Sequence, residues 1–408
     1  MRRRAFFASS AAALAALGTA PLRAAMLPRA KVVLGNEVFL AEAARELRGR
    51  GVGVITNQTG VTSKLESIVD AIRRVPAIRL KAIYAPEHGF RGDRTAGAYV
   101  PSYTDAATGL PVYSLYGPTR HPSPAMLEGV EVMLFDIQDV GSRAYTFVST
   151  MAYAMQSAAQ HDREIWVLDR PNPVGATLEG PVLDPKFASF IGLYPIPMRH
   201  GMTIGELARL FNEHFGIGAK LRVIPMHGYT REMIWPDTGL AWVQSSPNIP
   251  TWETCFPYLC TGLIDNAGVN NGVGTTNPFF YAGMAGLDAS ALAHRLNARD
   301  LPGVYFRAAS WSPIAGFWKG KELSGVELVI FDPRRFLAIR SAVEILVAVR
   351  EIAPRVIRVK EPASLDRDWG TDVLRTGLLH GESVEAILAA LTRNDARFAR
   401  LRDRYSLY

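Results

Sequence analysis

Through the first half of the chain, short runs of consecutive apolar residues alternate with stretches of helical period. Val52 to Thr56, Leu80 to Ala85, Val130 to Phe135 and Ile165 to Leu168 are near-continuous apolar runs, the pattern of parallel strands covered on both faces. Between the first two, Leu65, Ile68, Val69, Ile72 and Val75 recur at helical spacing. Strand, helix and strand in that order imply a right-handed crossover and a parallel pair. A second helix is expected around Thr150 to Ala159, a third after Thr203, where Glu206 completes a capping box, and a further strand at Val223 to Pro225. The pattern is that of an α/β chain with a Rossmann-like N-terminal domain and a mostly parallel sheet.

Trp242 to Thr251 forms a connector rich in Pro and Ser. Beyond it, Val326 to Phe331 reads as a strand, and Ala342 to Ile352 and Val384 to Leu391 read as amphipathic helices. The expected division is a domain at 26–250 and a smaller α/β domain at 251–408, packed on the first.

The predicted strands end in polar groups. Asn57 and Gln58 follow the first, Glu87 and His88 the second, and Asp136, Gln138, Asp139, Ser142, Arg143 and Tyr145 the third. Asp169, Arg170 and Asn172 follow the fourth. Ligands of open α/β sheets sit beyond the carboxyl ends of the strands, so these loops are where a pocket is expected. Glu87, between a stiffening Pro86 and Gly89, is either a solvated loop acid or a catalytic one. Glu179, His200 and Asn248 lie in later loops that can reach the same edge. Asp93 to Leu110 is long and weakly patterned, as lids over sites often are.

Composition narrows the function classes. Of 408 residues, 48% are hydrophobic and 20% charged, which suits a globular chain of one large or two medium domains. The formal net charge is +7, but Arg2, Arg3, Arg4 and Arg23 fall in an acid-free leader, so the remainder is too mildly basic to argue for nucleic acid. That leader, residues 1–25, has a basic start, a weakly apolar middle and small residues near Ala24 and Ala25. Arg3-Arg4-Ala5-Phe6-Phe7 resembles a twin-arginine export signal, which points to a periplasmic or secreted protein. Its apolar run is shorter than the ~20 residues of a spanning helix, so no stable membrane insertion is expected. Cys255 and Cys260 are not spaced for zinc or redox chemistry and read as small buried hydrophobes. Gly272-Val273-Gly274-Thr275-Thr276 lacks the lysine of a phosphate-binding loop, and no G-x-G-x-x-G follows a strand. A nucleotide is unsupported. His88, His200, Asp136 and Asp169 lack any compact metal spacing.

Several strings are specific enough to suggest a family. A-P-E-H-G-F-R-G, T-G-L-P-V-Y-S-L-Y-G, F-D-I-Q-D-V-G-S-R-A-Y-T, V-L-D-R-P-N-P, R-H-G-M-T-I-G-E-L-A and S-P-N-I-P resemble the exo-acting β-N-acetylmuramidases of the NamZ family, from about Val52 to the terminal tyrosine. The resemblance implies a site between the two domains that removes terminal N-acetylmuramic acid from peptidoglycan fragments without a cofactor. It places Glu87 at the residue proposed as the family's general acid, whose task is to protonate the glycosidic oxygen as an oxocarbenium-like centre develops. A second carboxylate activates water or acts as nucleophile, and Asp136, Asp139, Asp169 and Glu179 are unranked candidates. Arg143, Arg170 and His200 are candidates to pair with the lactyl carboxylate of muramic acid. Asn57, Gln58, Asn172 and Asn248 are candidates to address hydroxyl and acetamido groups, with His88, Gln138 and Tyr145 completing the sugar-binding set. One stretch departs from the family. Where it has E-G-T-N-L-S-E-G-R-G-T, this chain shortens the first Glu to Asp265 and replaces the second Glu and the Arg with Asn271 and Val273. If that loop builds the sugar pocket, a non-catalytic sugar-binding protein becomes the alternative.

Overall fold

The computed structural model describes residues 31–76, 78–316, 318–354 and 362–408. The expected leader lies outside them. Seven strands, β1 (Gly51–Thr56), β2 (Arg79–Ala85), β3 (Tyr103–Thr104), β4 (Pro111–Ser114), β5 (Val132–Asp136), β6 (Glu164–Leu168) and β7 (Lys220–Ile224), form one sheet in the order β3-β4-β2-β1-β5-β6-β7. Every neighbouring pair is parallel except β3 with β4. The helices of this part are α1 (Gly35–Val38), α2 (Ile68–Arg73), α3 (Thr146–Gln160) and α4 (Ile204–Glu213).

Burial explains why these strands read as continuous apolar runs. Val52 and Val54 pack with Val132, Leu134 and Trp166 on one face of the sheet. Ile55, Met133 and Phe135 pack on the other with Met151 and Met155 of α3. In the central strands β1 and β5, covered on both faces, polar residues appear only where the strand ends.

The second part is built from α5 (Cys255–Thr261), β8 (Tyr281–Met284), α6 (Ala289–Asn297), β9 (Val304–Trp311), β10 (Leu323–Ile330), α7 (Ala338–Ile352), α8 (Pro362–Trp369), α9 (Val373–His380), α10 (Val384–Leu391) and α11 (Asp395–Tyr405). Its three strands form an antiparallel sheet, β8-β10-β9. β9 alternates buried Val304 and Phe306 with exposed Tyr305 and Arg307, because one face of this sheet is open. Such a strand lacks the continuous apolar run that marked the first sheet. The two cysteines are free and buried in α5. One apolar core runs through both parts, joining Phe147 and Met198 to Phe256 and Ile345.

Chain order reverses between β1 and β5, where an open α/β sheet commonly holds its ligand. Here the crevice is filled by the protein itself. Asp136, fully buried, takes Nε of Arg170 at 2.6 Å and Nδ2 of Asn36 at 2.9 Å, while Arg170 Nη2 donates to the Val61 carbonyl at 2.7 Å. Among the described residues no helix is long and apolar enough to cross a membrane.

The C-terminal residue pins the second part to the first. Tyr408 Oη accepts the Met226 N–H at 2.7 Å and donates to Asp169 Oδ2 at 2.9 Å. Tyr408→Phe leaves both partners short of a hydrogen bond, and a loss of about 1–3 kcal/mol is expected. Urea unfolding checks this: a lower midpoint at unchanged slope is the expected result, and an unmoved midpoint contradicts it.

Candidate active site

The site grows from the turn after β2. His88 and Gly89 follow Glu87 with φ of 71° and 79°, a left-handed pair that reverses the chain sharply. A glycine adopts that region freely, whereas a histidine is held there. His88 Nδ1 donates to the Arg94 carbonyl at 2.9 Å and its ring meets Phe147 edge-on. The turn presents Glu87 at 8% exposure. Its Oε2 accepts the Thr146 hydroxyl at 2.6 Å and its Oε1 accepts the Gly97 N–H at 2.8 Å. Thr146 opens α3, and Gly97 belongs to the long loop, which thus holds the acidic side chain in place.

The opposite wall comes from the second part. Asp368, near the end of α8, is 9% exposed and its Oδ2 accepts the Asn266 amide at 2.6 Å. The Trp369 indole N–H donates to the Leu263 carbonyl at 3.0 Å, and Arg143 Nη2 donates to the Asp368 carbonyl at 3.0 Å. Burial lifts the Asp368 carboxyl to about 7, with the charge of nearby Asp265 adding to the rise. Asp265 is itself raised by burial.

Glu87 and Asp368 line one cleft of about 580 Å³. That is within the usual range for a small-molecule site. Tyr258 lines it as well, and its phenol is raised first by burial and then by the charges of Glu87, Asp139 and Asp368. Phe190 and Tyr116 form an aromatic side, with ring centroids 5.8 Å apart. Burial and then Glu87 push the Tyr116 phenol up to about 12. Exposed Arg120 lies over both rings, 3.8 Å from Phe190 and 5.4 Å from Tyr116. No described carboxylate forms a salt bridge with it.

Of the residues expected from sequence, Glu87, His88, Tyr145 and Asn248 line this cleft. The others are not in its lining, and each has polar atoms engaged elsewhere in the fold. Asp136 and Arg170 form the buried pair already described. Asp139 Oδ2 lies 3.5 Å from Nε2 of fully buried His200, whose Nδ1 accepts the Met202 N–H. Asp169 caps the start of α4, taking the Thr203 hydroxyl and the Gly205 N–H, each at 2.7 Å. Glu179 pairs with Arg199 at 2.6 Å. Arg143 spends its guanidinium on the carbonyls of Pro181 and Asp368. Asn57 accepts from Thr59, Gln58 donates to the Gln244 carbonyl, Gln138 to Pro171 and Asn172 to Met202. Buried turns must satisfy their own backbone groups and charges, and these side chains do it. Arg143, Arg170 and His200, expected to meet a substrate carboxylate, are all enclosed. Asn266 belongs to the divergent 265–275 loop, whereas Asp368 and Arg120 were missed. They lie away from any strand end and carry no periodic signal. Among the described residues no group of three or more His, Cys, Asp or Glu could hold a metal ion.

The divergent loop, residues 265–275, meets the cleft at its first residues, where Asn266 lines it and Asp265 stands near Asp368. Asn271 and Val273 are absent from the cleft lining, and Asn270 Oδ1 instead accepts the Trp311 indole N–H at 2.8 Å, tying the loop to β9.

Comparison with known proteins agrees with this two-part layout. Family models described as exo-beta-N-acetylmuramidase NamZ, N-terminal and C-terminal, match residues 52–253 and 256–408. The chain belongs to the NamZ family. It is 44% identical over 379 residues to the peptidoglycan beta-N-acetylmuramidase NamZ of Bacillus subtilis (strain 168), covering 93% of this chain and 92% of that one. Two crystal structures of DUF1343 family proteins from Bacteroides fragilis NCTC 9343 share the fold. One has TM-score 0.87 and 36% identity, covering 93% of this chain and all (100%) of its own. The other has TM-score 0.75 and 29% identity, covering 92% and 99%. The NamZ models thus meet between 253 and 256, close to α5 and its Tyr258.

Proposed function

We propose that this NamZ family member is an exported exo-β-N-acetylmuramidase that releases terminal N-acetylmuramic acid from peptidoglycan fragments. The observation that carries the reading is a pair of largely buried carboxyls, Glu87 and Asp368, in the walls of one sugar-sized cleft. Hydrolysis of a glycoside needs such a pair, since the glycosidic oxygen must gain a proton while the far face of the sugar is attacked. Support comes from the Bacillus subtilis relative, named for this activity. Of the replaced residues, 271 and 273 lie outside the lining, whereas Asp265 stands beside Asn266 at the Asp368 wall, so the change in that loop reaches the cleft and turnover is what separates hydrolysis from the binding-only alternative. The basic leader with its arginine pair supports export.

Mass spectrometry of products from fragments ending in either sugar tests the reading. Free N-acetylmuramic acid from muramic-terminated fragments alone is expected; internal cleavage or no product contradicts it. Arg120 supplies a cation for the lactyl carboxylate. Arg120→Ala is expected to raise KM on such fragments about tenfold, the worth of a hydrogen bond to a charged group, with kcat little changed. An unchanged KM contradicts that role.

A further inference from the structure

We propose that Asp368 is the second reacting carboxyl, and that it, in place of Glu87 as the family resemblance implies, delivers the proton to the departing glycosidic oxygen while Glu87 takes one from the attacking water. The assignment rests on the glycosidase reading. It follows from how the two groups are held. Both Glu87 oxygens accept hydrogen bonds, from the Thr146 hydroxyl and the Gly97 N–H. Donors arranged in this way suit a charged acceptor. Asp368 has Asn266 on Oδ2, and no hydrogen bond reaches Oδ1 from the described residues. The charged groups around it are Asp265, Arg367 on its own helix, and Arg143. Arg143 is spent on the Asp368 backbone carbonyl, and Arg367 Nη2 donates to Ser364 Oγ. Neither cation forms a salt bridge to the carboxylate, so desolvation prevails and the carboxyl holds its proton up to about 7. Two carboxyls held differently in one site are how glycosidases divide acid from base.

The step balances. The bond from the anomeric carbon to the glycosidic oxygen breaks with its electron pair going to that oxygen, which takes the proton of Asp368. Water adds to the anomeric carbon and its proton passes to Glu87. The cycle closes when solvent moves a proton from Glu87 back to Asp368.

Leaving-group dependence separates the roles. Parent, Asp368→Asn and Glu87→Gln are assayed on a muramic-acid–glucosamine disaccharide and on a 2,4-dinitrophenyl muramic glycoside, whose phenolate leaves without a proton. Asp368→Asn is expected to lose about 10³-fold in kcat/KM on the disaccharide and to recover to within about tenfold of the parent on the activated glycoside. Glu87→Gln is expected to lose activity on both. The parent's disaccharide rate should fall as pH rises through about 7, and that fall should vanish for Asp368→Asn on the activated substrate.

Folding of the variant is checked by its melting temperature. A carboxyl held above its ordinary range stabilises the fold below that range and loses this contribution as pH rises through about 7. Asn has no charge to bury, so Asp368→Asn should melt no lower than the parent at pH 8. Near-normal disaccharide turnover by Asp368→Asn, an equal loss on both substrates, or rescue of Glu87→Gln instead overturns the proposal. A parent inactive on both substrates defeats the glycosidase reading itself, and this assignment with it.

Discussion

Glu87→Gln is expected to lower kcat/KM on a muramic-terminated fragment by about 10³-fold or more. Gln has the same shape, and its amide oxygen can keep the Gly97 N–H bond that Oε1 accepts. It cannot carry a negative charge, take a proton or accept the Thr146 hydroxyl through a second oxygen. Stability should change little, because the side chain lies in a cleft wall rather than in the apolar core. Steady-state kinetics with urea unfolding of the same sample checks both halves. Activity within about tenfold of the parent, in a folded variant, contradicts a reacting role for this residue.

Asp136→Asn is expected to do the reverse. Asp136 is fully buried and neutralises Arg170, itself only 3% exposed. Removing one partner of such a pair leaves an uncompensated charge in the interior, which typically costs about 3–5 kcal/mol. The unfolding midpoint should fall accordingly, while kcat/KM per folded molecule stays near that of the parent. The residue expected from its strand-end position to be a catalytic candidate would then be a structural one. A large loss of turnover at undiminished stability contradicts this placement.

These two residues show how far the sequence can be read. Both lie at the end of a strand in the larger domain, so the strand-end rule selects them equally. The strands themselves were legible because two-sided burial removes every polar position, as in Val132 to Phe135. What the pattern does not contain is the identity of each side chain's partner. Asp136 is claimed by Arg170, Asp169 by the start of α4 and Glu179 by Arg199, all through contacts set by tertiary structure. Glu87 escapes because the long loop and α3 hold it at the cleft rather than inside the core. Asp368 was not legible. It lies near the end of a short helix in the other part, and its significance comes from enclosure beside Asn266 and Asp265. β9 escaped notice for a related reason, since a sheet with one open face interrupts its apolar positions with polar ones.

The Arg120 expectation follows from the same reasoning. Arginines are strong carboxylate ligands only when their donors are free, and Arg143 and Arg170 have already given theirs to the fold.

The most direct measurement compares release of 4-nitrophenol from the β-glycosides of N-acetylmuramic acid and N-acetylglucosamine by the folded parent protein. Steady release from the muramic glycoside, with little from its counterpart lacking the lactyl group, is the expected result. No release from the muramic glycoside, or equal release from both, contradicts a cleft built to hydrolyse muramic acid ends.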